Sequence, residues 1–161
     1  MKRWLTTLAL SIAAFAVGFA AAPSFATSYT GSWSSIFGNS SSCAFVRASV
    51  NDTTHKAGGI TKNVDGCSSE GNPYLSVPAG YLGLRVSLLQ SSGSLLCGQQ
   101  GYFYNALTAS SLTVTTAIAG GTACFGPQYY GRAEGLRWSR YEGFYYGKTV
   151  YSPVRPFIYD T

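Results

Sequence analysis

Charge is scarce in this chain: of 161 residues, eleven are Lys or Arg, six are Asp or Glu and one is His. A single histidine, His55, leaves too few imidazoles for a zinc or copper site once the cysteines pair. No C-x-x-C occurs, which removes the common zinc-ribbon and redox signatures. No G-x-S-x-G occurs either, so the nucleophile elbow of the hydrolases is missing. Beyond the N-terminal segment the 3.6-residue periodicity of amphipathic helices is absent. These gaps point to a helix-poor domain with no metal and no cofactor.

What the chain does have begins with three zones in the order of an export signal. Lys2 and Arg3 supply positive charge, an apolar stretch runs from Leu8 to Ala22, and Pro23 stops it. Ser24 and Ala26 then place small side chains on either side of Phe25, which predicts cleavage after Ala26. The alternative is an uncleaved anchor, since Trp4–Ala22 is 19 residues without a charge. The small-residue site after Pro23 favours cleavage. Lys2-Arg3 is not a twin-arginine signal, and no Cys follows the cut to carry a lipid. The expected destination is the medium, the periplasm or the cell envelope, with no membrane span left after cleavage.

The remainder, Thr27–Thr161, is 135 residues with nine Lys/Arg and six Asp/Glu. That length supports one domain with its own core. The net charge of +3 is mildly basic and is no footprint of nucleic-acid binding, which export also disfavours. Cys43, Cys67, Cys97 and Cys124 all lie beyond the predicted cut, so they read as two structural disulfides. Of the three possible pairings, Cys43–Cys67 and Cys97–Cys124 are favoured, because each brackets a strand-turn-strand unit.

Period-2 alternation is plain in three places. Leu82, Leu84, Val86 and Leu88 share one face, opposite Gly83, Arg85 and Ser87. Leu112, Val114, Thr116 and Ile118 repeat this, and Ala44, Val46, Ala48 and Val50 do so with Arg47 and Ser49 turned outward. Such alternation means strands with one buried face. Pro78-Ala79-Gly80 predicts a type I turn, Ser91-Ser92-Gly93 and Gly120-Gly121 separate apolar runs, and Gly58-Gly59, Gly66 and Asn72-Pro73 read as loops. The expected fold is all-β: a single small antiparallel β-sandwich or barrel over residues 43–161, stapled by disulfides. Residues 27–42 read as a Ser-rich arm that Trp33, Ile36 and Phe37 could tuck onto the domain.

The stretch from Phe125 to Tyr159 holds eleven aromatic residues interleaved with Arg132, Arg137, Arg140, Lys148 and Arg155. A hairpin of Leu136–Tyr141 and Phe144–Tyr151 around Glu142-Gly143 would set Arg140 opposite Tyr145. Strand propensity accounts for most of these aromatics on structural grounds. A recognition face is the functional reading, because Tyr, Trp and Arg give rigid contact area at low entropic cost. Trp138, Arg140, Tyr141, Tyr145 and Arg137 are its candidate residues.

Catalytic readings are thinner. His55 with Asp52 could be part of a Ser-His-Asp set, but the surrounding sequence is polar and turn-like. Glu134 and Glu142 could be a glycosidase acid pair, or merely salt partners for Arg132 and for Arg137 or Arg140. Pro153-Val154-Arg155-Pro156 fits P-x-x-P formally and suits a protected edge strand better. The function taken forward is a secreted, non-enzymatic binding domain with a protein or glycan partner and no nucleic acid. The alternatives are a small hydrolase and an inhibitor presenting a disulfide-braced loop at Asn51–Lys62.

Overall fold

The computed structural model describes residues 28–39, 41–93, 96–99, 101–115 and 128–156. These residues form strands and loops, with no helix among them. In chain order the strands are β1 Ser28–Thr30, β2 Ser34–Gly38, β3 Ser42–Asn51, β4 Lys56–Asp65, β5 Leu82–Gln90 and β6 Leu96–Gln99. They continue as β7 Phe103–Tyr104, β8 Ser111–Thr115, β9 Gln128–Ser139, β10 Phe144–Tyr151 and β11 Arg155–Pro156. The first sheet runs β1-β3-β4-β8, with β2 also on β3. The second runs β10-β9-β5-β6, with β11 on β9 and β7 on β5. All strand pairings within them are antiparallel.

The alternating runs lie where their periodicity puts them. Leu82, Leu84, Val86 and Leu88 are fully buried, as are Ala44, Val46, Ala48 and Val50. Val114 is buried and Leu112 packs beside it, while Thr116, Ile118 and Gly120-Gly121 lie outside the described residues. Both sheets feed one core cluster, with Val46, Val50 and Ala57 from the first and Leu84, Val86, Leu88, Tyr129 and Ala133 from the second. Each buried Val or Leu among them contributes about 1.5–3 kcal/mol by leaving water.

Glycine governs how closely the sheets approach. A Cβ on Gly131 of β9 would fall 2.2 Å from the Ser49 carbonyl oxygen of β3, so the two backbones nearly touch there. Gly58-Gly59, expected as a loop, is instead inside β4 and buried. A Cβ on Gly59 would stand 2.8 Å from Val86 and 2.9 Å from Ala133. Close packing between strands demanded glycine, and composition alone mimicked a turn.

Three turns differ from expectation. At Pro78–Tyr81 the Tyr81 N–H donates to the Pro78 oxygen at 3.2 Å, and Gly80 has φ +78°. A positive φ in the third position belongs to a type II turn, not type I. The β9–β10 connection is a four-residue loop, Arg140 to Gly143, not a two-residue turn. The Gly143 N–H donates to the Ser139 oxygen at 2.9 Å and Gly143 sits at φ +71°. Register therefore moves by two residues, and Tyr145 faces Trp138 rather than Arg140. The β3–β4 connection is tight, since Asn51 Oδ1 accepts from the N–H groups of Thr53 and Thr54 at 3.1 and 2.6 Å. Lys56 to Lys62 is thus strand, and the expected presenting loop at Asn51–Lys62 does not exist as one.

Residues 28–38 are bound into the first sheet as β1 and β2, both along β3. Trp33 packs on Cys43, Phe45 and Val64, Ile36 joins the main cluster, and Phe37 stacks on Tyr146 at 4.4 Å. The Cys43–Cys67 disulfide is present as favoured, linking β3 to the segment after β4. Cys97 is buried at the core; Cys124 lies outside the described residues, as do residues 1–26, Phe125, Phe157 and Tyr159.

Candidate binding face

Strand β9 divides its side chains between two environments. Tyr129, Ala133, Arg137 and Ser139 are buried on the inward side, while Tyr130, Arg132, Glu134, Leu136 and Trp138 take the outer side, half-buried. Register then assembles the outer face. Trp138 is opposite Tyr145, Leu136 is flanked by Gly147 and Gly83, and Gly83 is opposite Tyr104 of β7. A Cβ on Gly83 would lie 2.9 Å from the Tyr104 ring and 3.0 Å from Leu136. The missing side chain lets Tyr104 reach across β5 towards β10.

A run of rings results. Tyr102 and Tyr104 have centroids 6.5 Å apart, Tyr104 and Tyr145 5.4 Å, and Tyr145 meets Trp138 edge-to-face at 5.0 Å. Tyr102, Tyr104 and Tyr145 are 39, 44 and 36 % exposed, so each is partly covered by its neighbours and partly open. Further along the same face, Tyr130 and Tyr151 pair at 5.8 Å.

An open pocket of about 200 Å³ lies at the Trp138 end, lined by Ala79, Gly80, Tyr81, Trp138 and Tyr145. Its wall is fixed by hydrogen bonds. Tyr145 Oη donates to the Gly80 oxygen at 2.6 Å and the Trp138 N–H to the Tyr81 oxygen at 2.9 Å. Buried Asn105 holds the turn beneath: its Nδ2 donates to the oxygens of Pro78 and Leu107, and its Oδ1 accepts from the Leu82 N–H, each at 2.8 Å. Burial, with Tyr104 nearby, raises the Tyr145 pKa, so its phenol stays protonated and donating at neutral pH.

Beside the rings sits a charged cluster. Glu134 accepts from Arg85 and, at 2.9 Å, from Tyr102 Oη, and pairs with Arg132 Nε at 3.2 Å. The Arg85 guanidinium lies 4.5 Å from the Tyr102 ring centroid. Burial pushes the Glu134 pKa up, but the hydrogen bonds from Arg85 and Tyr102 and the charges of both arginines outweigh it, so the net shift is downward. Burial first, then the hydrogen bond to Glu134 and its negative charge, raise the Tyr102 pKa against the opposing charge of Arg85.

No family model matches the chain, and neither a curated protein nor a solved structure does. The site therefore stands on its own geometry.

Of the five expected residues, the structure brings Trp138 and Tyr145 together. Arg140 and Tyr141 lie in the exposed hairpin loop beyond them, Tyr141 93 % open. Arg137 faces the other way: it is buried, its Nε donates to Asn63 Oδ1 at 3.2 Å and its Nη1 to the Trp138 oxygen at 2.6 Å. Adjacent strand residues point to opposite faces, so Arg137 and Trp138 could not share one. Tyr102, Tyr104 and Tyr81 were missed, although the two-residue spacing of Tyr102 and Tyr104 is a faint strand signal.

The catalytic candidates are dispersed. Asp52 is buried and accepts from Thr53 Oγ1 at 3.3 Å, and His55 occupies the turn with φ +53°. Glu142, in the hairpin loop, accepts from Tyr146 Oη, whereas Glu134 is committed to Arg85, Arg132 and Tyr102. Glu134 is thus the salt partner expected for Arg132, but Arg137 is held by amide and carbonyl oxygens instead.

Proposed function

We propose that this chain is an exported, non-enzymatic binding domain whose recognition surface is the outer face of the second sheet. In this reading residues 1–26 direct export and are removed after Ala26, and the two sheets stack as a sandwich. The observation that carries it is the continuous run of partly exposed rings from Tyr102 through Tyr104 and Tyr145 to Trp138, ending at the open pocket. Buried aromatics would suffice for stability. Rings fixed in place yet left open offer contact area whose ordering cost is already met in folding.

The acid-pair alternative loses its proton donor. A glycosidase acid needs a raised pKa, and Glu134 is shifted downward. The inhibitor alternative loses its loop, since Lys56 to Lys62 is strand. Export is supported by the signal-like N-terminal sequence and by the Cys43–Cys67 disulfide, a bond of oxidising compartments. Among the described residues no helix is long and apolar enough to cross a membrane.

The test pairs the wild type with Tyr104→Ala/Tyr145→Ala against immobilised polysaccharides and secreted proteins. The reading expects at least one polymer to be retained by the wild type and released by the double variant, with both proteins melting cooperatively. Retention by the double variant as strong as by the wild type would sink it.

A further inference from the structure

The charged residues described on the outer face of the second sheet are occupied with one another. Arg85 and Arg132 both pair with Glu134, Arg132 Nε at 3.2 Å, and Tyr102 Oη donates to the same carboxylate at 2.9 Å. The other charged groups between Pro78 and Pro156 lie off this face. Arg137 is turned inward to Asn63, and Arg155 lies 3.9 Å from the Tyr29 ring centroid. Lys148 is three residues from Tyr145, hence on the opposite side of β10 with Tyr146 and buried Val150. Arg140 and Glu142 stand in the hairpin loop beyond the last ring. No unpaired charge on the face is left to select a ligand of either sign.

What remains is an amphiphilic pattern that runs lengthwise. One end carries the rings of Trp138, Tyr145, Tyr104 and Tyr102, and the other carries Tyr130 and Tyr151. Between them stands the Arg85–Glu134–Arg132 cluster, with Thr149 opposite Glu134. Trp138 and Tyr130 are eight residues apart on β9, roughly 27 Å at the rise of a strand. Building on the reading of this face as a binding surface, we propose that its ligand is an uncharged polysaccharide lying along β9. It would run from the pocket at Trp138 across the charged cluster to Tyr130 and Tyr151. A sugar ring has C–H faces that pack on aromatic rings and an edge of hydroxyls that need hydrogen-bond partners. The rings at either end take the C–H faces. Between them a carboxylate and two guanidiniums meet the hydroxyls, and Tyr102 and Tyr145, whose O–H groups already donate, accept through their oxygens. The pocket of about 200 Å³ is lined by no ionised side chain, and its open form lets a chain continue beyond it. A folded protein fits less well. The centre of a protein interface is depleted of charge, whereas the centre of this face is an ion cluster with side chains 15–28 % exposed. Hydroxyls replace the water on such groups without leaving them unpaired.

The experiment measures binding of the purified chain to dextran, mixed-linkage β-glucan and galactomannan, with polygalacturonate as the charged comparison, by affinity electrophoresis and calorimetry. At least one neutral polymer is expected to bind about tenfold more tightly than polygalacturonate, with an affinity that changes less than about twofold as salt rises from about 0.1 to 1 M. Oligosaccharides of that polymer should bind more tightly as they lengthen, as an extended site requires. Tyr104→Ala/Tyr145→Ala should weaken binding at least about tenfold, the loss of two ring contacts. Tyr130→Ala should weaken long chains more than short ones, and Lys148→Gln, on the far side of β10, should leave the affinity unchanged. Should the double variant fail to fold, Tyr104→Thr, on the short strand β7, reports on the same contact.

Tightest binding of polygalacturonate, dependent on the rings and weakened by salt, would overturn the uncharged ligand while leaving the face as the binding surface. Neutral-polymer binding that ignores the ring substitutions would overturn both the ligand and the face. Full affinity already in a monosaccharide would reduce the site to the pocket and overturn the extended chain. Failure of every neutral polymer to bind would overturn the proposal, and a secreted protein retained by the wild type but released by the ring variant would then keep the face with a protein partner.

Discussion

Arg137 shows how a single side chain joins the two halves of this molecule. It reaches from β9 to Asn63 on β4, lies 5.1 Å from the Tyr81 ring centroid, and donates back to the carbonyl of Trp138. Burial lowers its pKa, yet an arginine in this setting keeps its proton and must keep its acceptors. Arg137→Ala would strand two acceptors and leave a void, a loss of about 2–4 kcal/mol in urea unfolding. Arg137→Met, which fills the space without a buried charge, should recover at least half of that. A Met variant no better than Ala would place the value of Arg137 in its charge.

Glu134 gives the residue-scale prediction for pH. Its folded pKa is lowered, so its contribution is present above the ordinary carboxylate value of about 4.3 and is lost as pH falls through the folded value. At neutral pH, Glu134→Gln should cost about 1 kcal/mol, a modest figure because the pair is partly exposed. Melting curves of wild type and variant should converge below about pH 4. A gap that stays constant down to pH 2 would mean the carboxylate charge contributes nothing.

Among the elements, the β3–β4 hairpin is closed at one end by the Asx turn at Asn51 and braced at the other by Cys43–Cys67. The bridged residues are 24 apart, and a loop of that length restricts the unfolded chain by about 3–4 kcal/mol. Cys43→Ala/Cys67→Ala should lower the unfolding free energy by that amount or less, read from denaturant midpoints. Strand β3 of this hairpin, β5 and β8 were legible in sequence because alternation reports burial directly, whereas β4 read as loop. Pairing was less legible. Moving the β9–β10 register by two residues keeps Tyr145 on its face, so the periodic pattern is the same for either partner, and only the left-handed Gly143 decides. Strand β7 is two residues long and too short to show a period, so Tyr104 went unseen. Gly58-Gly59 misled because a glycine needed for close packing and one needed for a turn look alike in sequence.

At the scale of the whole molecule, the described strands split into a first sheet that folds Arg47 and Lys62 over Trp33 and a second sheet whose outer face carries the open rings. The C-terminal region is aromatic and basic in sequence, but composition ignores alternation and so groups Arg137 with Trp138. Folding sorts them: one half becomes the Tyr129–Ala133–Arg137 interior, the other the Tyr130–Arg132–Trp138 exterior. The measurement that bears most directly on the binding face is a map of amide NMR shifts during titration with a polymer that the wild type retains and Tyr104→Ala/Tyr145→Ala releases. The account predicts that perturbed amides cluster on Gly80–Gly83, Tyr102–Tyr104, Arg132–Trp138 and Tyr145–Lys148, leaving β3 and β4 unmoved. Perturbations confined to the first sheet, around Trp33 and Lys62, would contradict it.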